Sequence, residues 1–111
     1  MFKYKIITFI LFTLILNSCS KDTENIQLIK EKNQKEEMIS AYKEGISLMD
    51  NGDYFNSAKK FLEAEILFPQ SIWAPKSVLM ASYSYYTQNY YSLAIENIKR
   101  YFKTYPKDEN M

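Results

Sequence analysis

Small or apolar residues fall at Ser57, Phe61, Ala64 and Phe68 in the stretch Asn51 to Pro69, NGDYFNSAKKFLEAEILFP. Spacings of 4, 3 and 4 hold such residues on one side of a helix of about 3.6 residues per turn. The stretch Asn89 to Pro106, NYYSLAIENIKRYFKTYP, repeats the pattern. At an offset of 37 residues, Ala94, Ile98, Tyr101, Tyr105 and Pro106 stand for Ser57, Phe61, Ala64, Phe68 and Pro69. A fixed period of this size predicts stacked helical hairpins.

The helix preceding each of these stretches is patterned as well. Met38, Ala41, Tyr42, Gly45, Leu48 and Met49 recur at helical spacing and give a first helix, beginning near Met38, one packing side. Gly45 costs about 1 kcal/mol in a helix interior relative to Ala, so its expected value is space for a partner helix. Asn51-Gly52-Asp53 ends that helix and caps the next. Glycine supplies a left-handed residue and aspartate accepts N–H bonds at the new N-terminus. A helix from about Tyr54 to Phe68 follows, and Pro69 closes it. In the second hairpin Val78, Ala81, Ser82 and Tyr85 form the stripe, with Ser82 in the place of Gly45. Either Ser71 caps this helix and Pro75 lies in its first turn, or Pro75 is its first residue. Asn89 replaces Gly52 at the turn, because asparagine tolerates the left-handed region. The last helix runs from about Tyr90 to Tyr105. The predicted fold is all-α: antiparallel helical hairpins over residues 37–70 and 71–106, stacked as a short α-solenoid.

The N-terminus follows a different pattern. Lys3 and Lys5 precede an apolar run, Ile6 to Leu16, and then Asn17-Ser18-Cys19. A basic start, an apolar run and small residues before a junction describe a secretory signal. The run of eleven residues falls short of the about 20 that span a bilayer. Leu16-Asn17-Ser18-Cys19 resembles the bacterial lipobox. That likeness implies a signal over residues 1–18, cleavage before Cys19, and a diacylglycerol and N-acyl chain on Cys19. Two or more chains make a stable anchor. The absence of an aspartate after Cys19 favours the outer membrane by the rule for such lipoproteins. Residues 19–36 are polar apart from Ile26, Leu28 and Ile29; they read as a lipidated tether or a helix lead-in.

Composition narrows the function. A hydrophobic fraction of 47% and a charged fraction of 24% over 111 residues suit one folded domain. Removing Lys3 and Lys5 from 14 basic residues leaves 12 against 13 acidic ones, a balance of −1. No concentrated basic face for a nucleic acid follows from that. With no histidine, the Ser–His–Asp and Cys–His arrangements are ruled out. The single cysteine is assigned to lipid, so no thiolate metal site is expected. Two isolated glycines make no phosphate-cradling loop. Glu63 and Glu65 lie two apart on a helix, point in different directions and are expected to be solvated. The chain is read as a non-enzyme with no cofactor beyond its acyl chains.

Gly45, Leu48, Tyr54, Ser57, Phe61, Ala64 and Pro69, then Ser82, Tyr85, Tyr91, Ala94 and Pro106, resemble the tetratricopeptide pattern. With the lipobox, the short polar lead and the Tyr-rich second repeat, the chain is similar to the BamD (YfiO) family of outer-membrane assembly lipoproteins. The resemblance implies a scaffold of the β-barrel assembly machinery on the periplasmic face of the outer membrane. It would bind unfolded outer-membrane proteins through their C-terminal segments, the barrel-assembly subunit and the other lipoproteins of that machinery. Family members carry further repeats, so this chain reads as truncated before a third. Two hairpins alone should be only marginally stable. A periplasmic tetratricopeptide adaptor for cell-wall or envelope-constriction proteins is the alternative.

Ten tyrosines are present, and Leu79, Tyr83, Tyr86 and Tyr90 form a second stripe. Two uses stay open for it: packing against a further repeat, or receiving an extended peptide, which places Tyr83, Tyr86 and Tyr90 as partner-binding residues. Tyrosine suits the second because it buries a large area and keeps a hydroxyl for a backbone partner.

Overall fold

The computed structural model describes residues 1–4 and 21–109, and its contacts divide the chain into two units, 1–32 and 33–111. The signal expected over 1–18 and the lipid attachment at Cys19 fall largely or wholly outside the described residues. Among the described residues there are four long helices: α1 (Lys21–Asp50), α2 (Tyr54–Leu67), α3 (Trp73–Thr87) and α4 (Tyr91–Thr104). The described residues contain no strand, and the all-α solenoid architecture expected from the period is what forms. One boundary differs. α1 begins at Lys21 rather than near Met38, so most of the polar stretch is a helix lead-in. Its residues are good helix formers with no Pro or Gly to stop them. In the first unit Ile26, Leu28 and Ile29 of this helix are exposed.

In the second unit, side-chain contacts run in opposite order along α1 and α2. The Ser57 hydroxyl donates to the Gly45 carbonyl at 2.7 Å, Lys60 pairs with Glu44 at 3.0 Å, and Phe61 meets Tyr42 edge-on at 5.1 Å. Those contacts define an antiparallel hairpin. A Cβ on Gly45 would sit 2.9 Å from Phe61 Cε1, so the glycine does provide the close approach expected of it.

Both turns are the same motif, 37 residues apart. Gly52 has φ +79° and Asn89 has φ +64°. Asp53 N–H reaches Leu48 O at 2.9 Å and Gly52 N–H reaches Met49 O at 3.0 Å. Tyr90 N–H to Tyr85 O and Asn89 N–H to Tyr86 O repeat this at 2.9 and 3.0 Å. Each is a Schellman closure around one left-handed residue. The Asp53 carboxylate caps α2 by accepting from Asn56 N–H. α3 starts without a side-chain cap, and Pro75 occupies its first turn. Ser71 therefore does not cap α3; its buried hydroxyl has no hydrogen-bond partner. The core is Ala58, Phe61, Ala81, Tyr85 and Ala94, with a second cluster of Met38, Ala41 and Ala64.

Candidate partner-binding groove

α3 carries two stripes with different surroundings. Ala74, Ser77, Ala81 and Ser84 are fully buried and face the first hairpin, where Ala81 packs with Ala58 and Phe61 and the Ser84 hydroxyl lies 3.5 Å from that of Ser57. Both serines satisfy their hydroxyls within α3, Ser77 on Trp73 O and Ser84 on Met80 O. They therefore behave as small packing residues. The second stripe turns outward. Tyr83 and Tyr86 are 55% and 60% exposed, and with Leu79 of α3 and Ile95, Ile98, Lys99 and Phe102 of α4 they line an open apolar groove of about 530 Å³.

The internal repeat shows what kind of surface this is. Moved back by 37 residues, Leu79, Tyr83 and Tyr86 become Tyr42, Ile46 and Met49, while Ile95, Ile98 and Lys99 become Ala58, Phe61 and Leu62. In the first hairpin all six belong to the core cluster that includes Ala81 of α3. The groove on the second hairpin is thus the counterpart of a groove that α3 fills on the first.

Tyr90 does not join the groove. It caps α4, and its ring lies 5.2 Å from Phe55 and 6.4 Å from Tyr85, on the side of the first hairpin. Tyr86 pairs instead with Tyr91 at 5.4 Å. The structure brings Tyr83 and Tyr86 together with α4 residues that the tyrosine pattern alone did not reveal. Ile95 and Phe102 could have been found, since both are apolar residues on α4 outside its packing stripe.

The placement of α4, and so the shape of the groove, depends on a polar contact the sequence did not signal. Glu65 is 5% exposed rather than solvated as expected. It lies four residues after Phe61 on the packed side of α2. Arg100 of α4 donates to both its oxygens at 2.6 and 2.7 Å, and the Tyr105 hydroxyl donates to Oε1 at 2.7 Å. Hydrogen bonding to Glu65 raises the Arg100 pKa above its ordinary value. Burial, helped by Glu65, raises that of Tyr105. Glu63 remains on the surface beside Lys60.

Among the described residues no cluster could hold a metal ion, and no helix is long and apolar enough to cross a membrane. Stacked helical hairpins with a buried small-residue seam and an open apolar groove define a tetratricopeptide-like scaffold. Residues 34–111 match the YfiO family, described as an outer membrane lipoprotein, and the chain belongs to that family. It is similar to the outer membrane protein assembly factor BamD of Caulobacter vibrioides, 34% identical over 65 residues. That match takes in 59% of this chain and 21% of that protein, so the chain spans about a fifth of the curated relative's length. No solved structure matches the chain.

Proposed function

We propose that the protein is a lipid-anchored scaffold of outer-membrane β-barrel assembly. Acyl chains on Cys19 hold it at the periplasmic face of the outer membrane, and it works by binding, without catalysis or a cofactor. Its partners are unfolded outer-membrane proteins, the barrel-assembly subunit and the other lipoproteins of the same machinery. The family's description and the relative's name support the setting. The observation that carries the binding role is the groove at Tyr83 and Tyr86, whose half-exposed rings stand beside Ile95 and Phe102, also more than half exposed. Exposed aromatics clustered on a rigid helical surface are the residues that dominate binding energy when covered.

Capture from detergent-solubilised envelope, probed for the barrel-assembly subunit and for unfolded outer-membrane protein segments, tests this. The full chain should retain them, and Tyr83→Ala with Tyr86→Ala should lower retention more than about tenfold. Capture of neither class, or capture indifferent to the double substitution in a protein that still folds, overturns the reading.

A further inference from the structure

We propose that the first turns of α1 lie in the surface of the bilayer leaflet that holds the acyl chains of Cys19, with Ile26, Leu28 and Ile29 turned into the lipid. This deepens the anchoring part of the proposed function and rests on it. In the first unit these three side chains are 64%, 64% and 61% exposed. Successive residues of a helix are about 100° apart around its axis. Leu28, Ile29 and Ile26 therefore share an arc of about 160°, with Asn25 and Lys32 inside it and Lys30 at its edge. Glu24, Gln27 and Glu31 occupy the opposite side. A helix with apolar residues and lysines on one side and carboxylates on the other settles at a membrane surface. The apolar side chains enter the boundary between headgroups and acyl chains, the lysine stems follow them, and the ammonium groups reach lipid phosphates.

Position along the chain names the occupant. α1 begins at Lys21, two residues after Cys19. At about 1.5 Å per residue, Ile26 and Ile29 lie about 8 and 12 Å along the helix from its first residue. An acylated Cys19 holds that start at the headgroups, so the patch is within reach of the lipid and no repeat stands between them. The repeats begin further on: the family match starts at residue 34 and the buried packing side at Met38. Three apolar residues are too few for firm adsorption by a free helix. Joined to an acyl anchor, the helix meets the bilayer as an intramolecular event at high effective concentration, and a weak contact is then enough.

The test uses the full chain, purified with its acyl chains and reconstituted in vesicles of phosphatidylethanolamine and phosphatidylglycerol. Acylation consumes the Cys19 thiol, the only one in the sequence, so a nitroxide can be placed at one introduced cysteine at a time. Labels at Ile26→Cys, Leu28→Cys and Ile29→Cys should lose collisions with a water-soluble nickel complex and gain collisions with oxygen, which concentrates in lipid. Labels at Glu24→Cys, Gln27→Cys and Glu31→Cys should stay open to nickel. Ile26→Glu with Ile29→Glu should return the label at Leu28→Cys to water and leave the protein acylated and vesicle-bound. Ile26 and Ile29 are exposed, so that double substitution should leave the thermal melt of the protein in place. All six labels open to nickel, or all six shielded alike, overturns the inference. So does loss of both kinds of collision at the apolar positions, which would make the cover a protein, a second copy included. A mass spectrum of the N-terminal peptide reads the anchor separately. Acyl chains present with every label in water removes only the surface contact, whereas their absence removes the anchor and the contact with it.

Discussion

Glu65 on α2 and Arg100 on α4 form a two-pronged ion pair joining the second helices of the two hairpins, at 2.6 and 2.7 Å. The carboxylate is almost wholly buried while the guanidinium side chain remains 40% exposed. Removing the arginine strands a buried charge, whereas removing both partners strands no charge and leaves the Tyr105 hydroxyl without its acceptor. Arg100→Met should therefore destabilise the protein by about 2 kcal/mol. That is less than for a fully enclosed pair, because solvent already screens Arg100. Glu65→Leu added to Arg100→Met should recover most of the loss. Urea midpoints across the four proteins measure the coupling, and an Arg100→Met protein with the parent midpoint would show that the pair contributes nothing.

The two glycines should respond differently to alanine. At Gly45 a methyl would meet the Phe61 ring at 2.9–3.1 Å, and Phe61 is fully buried. Overpacking of about 1–3 kcal/mol should outweigh the gain of about 1 kcal/mol in helix propensity. Phe61→Leu in the same chain should make Gly45→Ala better tolerated. At Gly52 nothing lies within 4 Å, but φ is +79°, so alanine there should cost about 1 kcal/mol through the backbone alone. No companion substitution in the core should relieve it. Thermal melts of the four variants separate the two causes; relief of Gly52→Ala by Phe61→Leu would contradict them.

Alkaline pH should loosen the second hairpin. Burial, then its hydrogen bond to Asp108, pushes the Tyr101 hydroxyl up to about 12 from an ordinary value near 10. Burial and then Glu65 raise Tyr105 as well. Above pH 10 the unfolded chain releases these protons before the folded one does, so the unfolded state binds fewer protons and stability falls as pH rises. The contribution is fully present below pH 10 and is lost as pH passes through the folded values. Stability followed by circular dichroism from pH 9 to pH 12 should decline more steeply in the parent than in Tyr101→Phe with Tyr105→Phe. Equal slopes would exclude both hydroxyls as the cause.

The hairpins were legible because their signals are local. A left-handed residue at Gly52 and Asn89, prolines after Phe68 and Tyr105, and the 4-3-4 stripes each act within one or two turns of chain. The start of α1 was not legible, because a polar stretch reads equally as a tether or a helix lead-in: Lys, Glu and Gln are good helix formers, and no repeating apolar stripe marks where the helix begins. Glu65 was misplaced for a different reason. Whether a carboxylate can be buried depends on what faces it, and Arg100 and Tyr105 reach it from 35 and 40 residues away. The same holds for the groove. The tyrosine spacing grouped Tyr90 with Tyr83 and Tyr86, but Tyr90 closes the Schellman turn, where the chain reverses and carries its ring towards Phe55.

The anchoring role assigned to Cys19 makes the last prediction, and it concerns a residue outside the described part of the chain. Its thiol is the only one in the sequence, so acylation through sulfur has a single possible site. Each buried methylene contributes about 0.8 kcal/mol, which makes one acyl chain a reversible anchor and two or more a stable one. Cys19→Ser should abolish labelling by a palmitate analogue in the producing bacterium and move the protein out of the outer-membrane fraction. The helices of residues 33–111 are held by the clusters around Phe61 and Met38, so they should melt as before. Unchanged labelling, or unchanged fractionation with the label lost, would show that something other than lipid on Cys19 holds the protein at the membrane.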